Sequence, residues 1–429
     1  MHAARVLFSA YDAKTVQSLM VQHLPSSPPR LLLRANRTSI PDQPGHHFGG
    51  FASASFSQSG ASVGLVGIGN VSQSFRTRFY GSYVLGLDNG VLHKVVDTTD
   101  SMPAQADYGK RFRTVSAPAI YSTPTAMYAI ASGSDEIGGG REVIIRLALG
   151  SRQRELLLDG NTSNISGLSA PQIFDPQTPL TGIRCLAFFA RRNGEPGIFT
   201  LRLTEASPSA AQRARANATA SKADKLLTLL AGVRTPMPDA EPPQPFMYFG
   251  APVVSSTLAL VLFVAKGASG ASGIYAAPFP IAGGGGEEGE DVRRLVDTSS
   301  GRFGAFPHAP SAAGSILVFY ASVTSDPLSA GLYALDMRSA VGPRNLNRSD
   351  ASGGLSGGVS GGQRANLSST ARASGMRAGA MPLAVATLRS TGLRYIIASY
   401  DGFDGDCVAF YGSSDTTDNL FTVAVPRSE

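Results

Sequence analysis

The sequence predicts an all-β fold built from six to seven copies of one four-stranded antiparallel unit, and three observations predict it. Apolar residues fall in short runs between turn residues. Glycine (48) and proline (27) are abundant, while charged residues make up only 16% of the 429 residues. One strand pattern also recurs along almost the whole chain, the mark of a repeat architecture.

The recurring strand reads apolar, apolar, aromatic or apolar, any residue, small. Its seven copies close at Ala10, Gly67, Ala131, Ala190, Ala265, Ala321 and Gly412, spaced 57, 64, 59, 75, 56 and 91 positions apart. Leu186-Ala187-Phe188-Phe189-Ala190 and Leu317-Val318-Phe319-Tyr320-Ala321 show it most clearly. Such near-continuous apolar runs suit strands covered on both faces.

A second strand follows each copy after a polar, glycine-rich turn, as in Gly197-Ile198-Phe199, Gly273-Ile274-Tyr275 and Gly331-Leu332-Tyr333. A third ends in Val96-Asp97-Thr98 or Val296-Asp297-Thr298, with proline a few residues on at Pro41, Pro103 and Pro238. Asp-Thr offers side-chain oxygens to nearby backbone N–H groups, so these pairs read as turn caps. A fourth strand carries Ala117-Pro118, Ala170-Pro171, Ala251-Pro252 or Ala309-Pro310. Proline has no ladder donor, which puts it at a strand edge or a strand's beginning. Asn89-Gly90 between apolar runs is a hairpin signal and makes the second and third strands antiparallel neighbours.

A unit of this size is too short to bury a core alone, which argues against tandem sandwiches. The prediction is a single β-propeller domain over 1–429, with six to seven mostly four-stranded blades. Low-complexity insertions, expected to be disordered, fall at about 205–224, 280–291 and 338–380. They enter the same connection, between the second and third strands, so they should project from one face. The chain starts at the apolar-aromatic strand of one unit and stops after the second strand of another. Either the terminal blades have three strands or the beginning is missing.

The composite Gly-Ile-Tyr, Val-Asp-Thr, Pro, Phe followed by Ala-Pro, and Val-x-Phe-x-Ala resembles the repeat of uncharacterised bacterial and algal β-propeller-like proteins, often exported or held at the cell surface. The resemblance covers nearly the whole chain outside the insertions. Its motifs are structural and bring no catalytic residue with them.

The net charge of +6 rests on arginines scattered along the chain, without a basic stripe, so no nucleic-acid partner is expected. The most apolar stretch, Thr257 to Ala265, is half the length of a bilayer-spanning helix and reads as a buried strand. Cys185 and Cys407 occupy one repeat position in different units, so two buried free thiols are expected.

Asp401, Asp404 and Asp406 form the densest acidic cluster. Interleaved with glycines, they could wrap Ca²⁺, but a hairpin turn is the simpler reading because no bidentate glutamate follows. No other cofactor is implied. Histidines at 2, 23, 46, 47, 93 and 308 show no metal-ligand spacing. Seven of the eleven asparagines, Asn36, Asn70, Asn161, Asn164, Asn217, Asn347 and Asn366, sit in Asn-x-Ser/Thr sequons. That enrichment favours an extracytoplasmic or cell-surface location, with cytoplasmic as the alternative, although no secretory signal opens the chain.

The leading functional expectation is a non-catalytic binding or scaffold propeller presenting loops to a protein or glycan, monomeric or part of a larger chain. Two alternatives stay open: a polysaccharide-acting hydrolase or lyase with an axial active site, and a structural module of a larger cell-surface protein. A cluster of acidic, His or Tyr side chains at the axial mouth would favour the enzyme, and small apolar residues there would count against it.

Overall fold

Each apolar-aromatic run forms an inner strand of a small antiparallel sheet, and seven such sheets follow one another among the described residues. The computed structural model describes residues 5–12, 14–23, 28–57, 59–69, 79–103, 110–137, 139–151, 154–175, 183–203, 226–238, 240, 242–279, 292–324, 326–338, 381–382, 396–401, 407–413 and 418–424. The first sheet is β1 (Arg5–Tyr11), β2 (Gln17–His23) and β3 (Arg30–Arg34). The second is β4 (Phe48–Phe56), β5 (Ser62–Gly69), β6 (Phe79–Gly86) and β7 (Leu92–Asp97). The third holds β8 (Thr114–Val115), β9 (Ala119–Ser122), β10 (Met127–Glu136), β11 (Gly139–Ala148) and β12 (Arg154–Asp159).

After the single turn α1 (Gly160–Ser163) comes the fourth sheet: β13 (Ile165–Ser166), β14 (Gln172–Phe174), β15 (Arg184–Arg192), β16 (Glu195–Leu203) and β17 (Leu227–Gly232). The fifth is β18 (Phe246–Phe249), β19 (Val253–Ser255), β20 (Leu260–Gly267), β21 (Ser272–Pro278) and β22 (Arg293–Asp297). The sixth is β23 (Phe303–Ala305), β24 (Ser311–Ala313), β25 (Ile316–Val323), β26 (Asp326–Asp336) and β27 (Met381–Pro382). The seventh is β28 (Ile396–Asp401), β29 (Cys407–Ser413) and β30 (Asp418–Ala424). The fold is a β-propeller, and among the described residues the first and last sheets have three strands each.

Two devices recur that the strand pattern did not reveal. In the third to sixth sheets the innermost strand is split in two, with both halves pairing the same apolar-aromatic strand. Pro118, Pro171, Pro252 and Pro310 each stand one residue before the second half, at a strand's beginning as expected. In the second sheet a register shift between Ala52 and Ser55, with Ser53 at φ 47°, interrupts the strand instead. The outermost strand carries the other device. Each of the first five sheets has a one-residue bulge there, at Leu32, Val95, Leu157, Leu230 and Leu295.

The core lies between sheets. Among the described residues five clusters each join consecutive sheets, from Leu7, Leu19 and Leu33 against Phe48, Phe51 and Leu65, to Leu262 and Ile274 against Leu317 and Phe319. Both faces of the middle strands are therefore buried, which is why their sequences are apolar without alternation. The expected insertions at about 205–224 and 280–291, and all of 338–380 beyond Arg338, lie outside the described residues.

Cys185, on β15, is buried and unpaired. Burial pushes its thiol up to about 11. Because the folded value is raised, the neutral thiol's contribution is complete below its unfolded value and is lost as pH rises through about 11. In a Cys407→Ser chain, Cys185 should resist a disulfide-exchange reagent at pH 8 and react fully once denaturant is added. Equal rates in both states would contradict its burial. The side chain of Cys407 lies outside the described residues.

Candidate binding face

The split inner strands set the geometry of the axis. Halves β9, β14, β19 and β24 lie side by side in successive sheets. They read Ala-Ile-Tyr-Ser, Gln-Ile-Phe, Val-Val-Ser and Ser-Ala-Ala, with no carboxylate or imidazole. Antiparallel winding then gives the molecule two faces. The turns entering the apolar-aromatic strands, such as Thr123 to Ala126, share one face with the connections that carry the insertions. The opposite face holds the turns leaving those strands and the segments that cross to the next sheet.

Serine stitches the break on this opposite face. Ser116 and Ser169 precede Ala-Pro, and their hydroxyls accept the Ser132 and Phe189 N–H groups at 3.0 and 2.9 Å. Ser132 in turn donates its hydroxyl to the Ser169 carbonyl of the next sheet at 3.3 Å. Glu142 accepts the Leu168 N–H at 2.6 Å; burial raises its carboxyl while the Leu168 and Gly167 amides lower it. This glutamate ties one sheet to the start of the next.

Most buried charges are occupied in the same way. On the insertion face, Arg146 donates to Glu155 and, at 3.1 Å, to the Tyr121 hydroxyl. Tyr121 and Tyr128 stack at 5.0 Å, with Arg184 5.4 Å from the Tyr121 ring and bonded to Asp175 at 2.7 Å. Arg141 forks onto Asp159. These groups cross-brace strands, and each carboxylate already faces an arginine.

The turn caps behave as their sequence suggests. Asp97 Oδ1 accepts the Thr99 N–H and hydroxyl at 2.8 and 2.5 Å, and Thr98 Oγ1 accepts the Tyr80 N–H at 3.3 Å. Thr298 Oγ1 likewise accepts the Ser272 N–H at 3.1 Å. These oxygens are committed to the fold and do not face a common axis ligand.

Exposed large apolar side chains have a bias. Of the six among the described residues, Tyr11, Ile137, Met247 and Tyr248 all lie on the opposite face, and Leu31 and Val91 on the insertion face. Met247 and Tyr248 are each 56% exposed between buried Phe246 and Phe249. The register slips between Phe246 and Tyr248 against β20, so both phenylalanines turn to the fourth sheet and the two residues between them turn out. Lys266 Nζ sits 5.8 Å from the Tyr248 ring centroid, and Arg302 Cζ lies 5.1 and 5.9 Å from the Phe303 and Tyr333 rings.

The sequence-predicted site residues are not brought together. Asp401 ends β28, with its side chain outside the described residues, and Asp404 and Asp406 lie outside them altogether. Asn36, Asn161 and Asn164 are exposed, with Asn36 and Asn164 in left-handed turns at φ 60° and 52°. Asn70, Asn217, Asn347 and Asn366 fall outside the described residues. The exposed Met247 and Tyr248 are not singled out by the sequence. Their one signal is a pair lodged inside Phe246-Met247-Tyr248-Phe249, which only the bulge explains.

No family model matches the chain, and no curated protein does. Solved structures are similar at the level of overall shape. The β-propeller domain of the Trilobed protease from Pyrococcus furiosus, described as having an open velcro topology, shares 9% identity over 98% of this chain and 91% of that one, with a TM-score of 0.48. An acylaminoacyl peptidase from Pyrococcus horikoshii shares 8% over 97% of this chain and half (50%) of its own, with a TM-score of 0.43. An α-L-arabinanase from Penicillium chrysogenum, complexed with arabinobiose, shares 9% over 75% and 88%, with a TM-score of 0.34. The class, a β-propeller, is established by the order of the sheets themselves. Among the described residues no helix is long and apolar enough to cross a membrane.

Proposed function

We propose that this chain is a non-catalytic propeller that binds a protein or glycan partner through the face opposite its insertions. The observation that carries the reading is the gathering of Tyr11, Ile137, Met247 and Tyr248, exposed at 56 to 83%, on that face. Exposed aromatic and apolar side chains on an otherwise polar rim are the usual substance of a recognition surface. The paired state of the buried ionisable groups adds support. Arg146, Arg141 and Arg184 consume the carboxylates beside them, and the axial half-strands carry no carboxylate or imidazole.

The test is a screen of the purified chain against glycoside hydrolase, polysaccharide lyase and peptidase substrates. The expected result is no turnover above buffer. Robust turnover that one side-chain substitution abolishes would replace this reading with an enzymatic one.

A further inference from the structure

We propose that Asn193 is a site of spontaneous deamidation, where the side-chain amide becomes a mixture of aspartate and isoaspartate, and that the fold withholds the same change from Asn89. Of the eleven asparagines, only Asn89 and Asn193 precede a glycine.

The chemistry needs nothing but the chain and water. The backbone nitrogen of the following residue loses its proton and forms a bond to the asparagine Cγ. The Cγ–Nδ2 bond then breaks, and Nδ2 leaves as ammonia once it has taken up the proton. Water opens the resulting succinimide ring at one of its two carbonyl carbons. One opening gives aspartate and the other gives isoaspartate, in which the main chain runs through the former side chain. Glycine favours the attack because no Cβ crowds its nitrogen. The other described asparagines, Asn36, Asn161, Asn164 and Asn419, precede Arg, Thr, Ile and Leu.

The turn at Asn193 leaves the reacting atoms free. Asn193 and Gly194 link β15 to β16 as a two-residue loop, with Arg192 and Glu195 as the last register pair. Both lie in the left-handed region, at φ 53° and 85°, which marks a tight primed hairpin turn. Both are exposed, and nothing stands within 4 Å of the space beside the Gly194 Cα. The Asn193 side chain and carbonyl and the Gly194 N–H make no hydrogen bond among the described residues. The one bond at this tip runs from the Asn193 N–H to the Asn164 carbonyl at 2.9 Å. That bond sits on the far side of the Asn193 Cα, so the peptide between Asn193 and Gly194 turns to reach Cγ without breaking it.

Asn89 is held at both reacting ends. Its Oδ1 accepts the Val91 N–H at 2.9 Å and lies so close over Gly86 that a Cβ there would collide with it. The Gly90 N–H, which carries the attacking nitrogen, donates to the Gly86 carbonyl at 2.9 Å. Attack at Asn89 therefore requires a local opening that breaks two hydrogen bonds, and attack at Asn193 requires none to break.

The product changes the face opposite the insertions, whether or not that face binds a partner. A carboxylate replaces a neutral amide in the turn beside Glu195, which already pairs with Arg234 at 3.3 Å. Isoaspartate also lengthens the main chain by one carbon at the tip.

The experiment is peptide mapping by mass spectrometry after the purified full chain is aged at mildly alkaline pH, once folded and once in denaturant. Asp and isoAsp products are counted at both asparagines. In the folded chain Asn193 is expected to convert roughly tenfold faster than Asn89, the rate equivalent of the two bonds that hold Asn89. In denaturant the two rates should come together, because both residues then differ only in their sequence neighbours. Asn193→Gln, checked for folding by circular dichroism, should remove most of the isoaspartate that the folded parent accumulates, since glutamine must close a larger ring. Conversion of Asn89 as fast as Asn193 in the folded chain, or one rate ratio in both states, would overturn the proposal. So would folded Asn193 that stays intact while both sites convert in denaturant, since the turn would then protect the residue it is argued to expose.

Discussion

Phe246→Ala is expected to destabilise the chain by about 3–5 kcal/mol, the range for emptying a fully buried phenylalanine site. Phe246 has no exposed surface, meets the Tyr275 ring edge-on at 4.9 Å and 85°, and touches the Phe249 and Phe263 rings at 5.4 and 6.2 Å. Edge-to-face pairs of this kind add to the area term. The arrangement is not local. Phe48 meets Tyr83 at 5.0 Å and 88°, and Phe303 meets Tyr333 at 4.9 Å and 78°, each at the start of an inner strand. Phe303→Ala should therefore fall in the same range, whereas Met247→Ala, one residue from Phe246 but facing out, should stay within about 0.5 kcal/mol. The chain has no tryptophan, so far-UV circular dichroism in a denaturant series is the measurement. A Phe246→Ala chain within about 1 kcal/mol of the parent would mean that the sheets are not held together by these aromatic seams.

That recurrence shows what sequence reading captures and what it loses. Strands such as Leu186 to Ala190 are buried on both faces, so their composition is constrained at every position and their repeats stand out. The same holds for Asp97-Thr98 and Asp297-Thr298, where hydrogen bonds to specific backbone groups fix the residue type. The shared insertion connection was legible because long polar tracts interrupt one defined hairpin.

Other features have no fixed residue type. The outer-strand bulge falls on Leu, Val, Leu, Leu and Leu, all ordinary strand residues, because the extra residue is accommodated by backbone and not by side chain. The fourth strand, the one carrying Ala251-Pro252, reads as one element in the sequence, yet it is two, since proline withholds one ladder bond and the chain steps over it. The exposure of Met247 and Tyr248 was hidden for a related reason. Whether Tyr248 is core or surface depends on a register slip at Phe246, and a slip of one residue reverses every side chain after it.

The second large effect is expected at Asp97, which has no exposed surface. Its Oδ2 lies 3.2 Å from Lys94 Nζ, as an ion pair and not an aligned hydrogen bond, and its Oδ1 closes the Thr99 turn. Lys94 also meets Asp100 at 3.4 Å and Asp42 at 3.6 Å, and Arg154 holds Asp100 from the other side at 2.8 Å. Burial, followed by Asp97, Asp100 and Asp42, drives the nearby Tyr83 hydroxyl far above its ordinary range, so it stays protonated. Asp97→Ala removes the deepest carboxylate from a largely buried ammonium and opens a turn, at a cost of about 3–5 kcal/mol. Asp97→Asn keeps a turn acceptor without the charge and should recover part of the loss. At the exposed pair Arg234 and Glu195, by contrast, Glu195→Ala should cost about 0–1 kcal/mol, because solvent already screens it. Lys94 adds a pH signature. Burial pulls its ammonium down, but the three carboxylates outweigh burial and hold it above its ordinary value. A raised folded value gives stability that is complete below the unfolded value, about 10.4, and is lost only as pH climbs past the folded one. The gap between parent and Asp97→Ala should thus be constant from pH 7 to 9 and narrow in stronger alkali. A gap that instead widened there would place the stabilising charge somewhere other than Lys94.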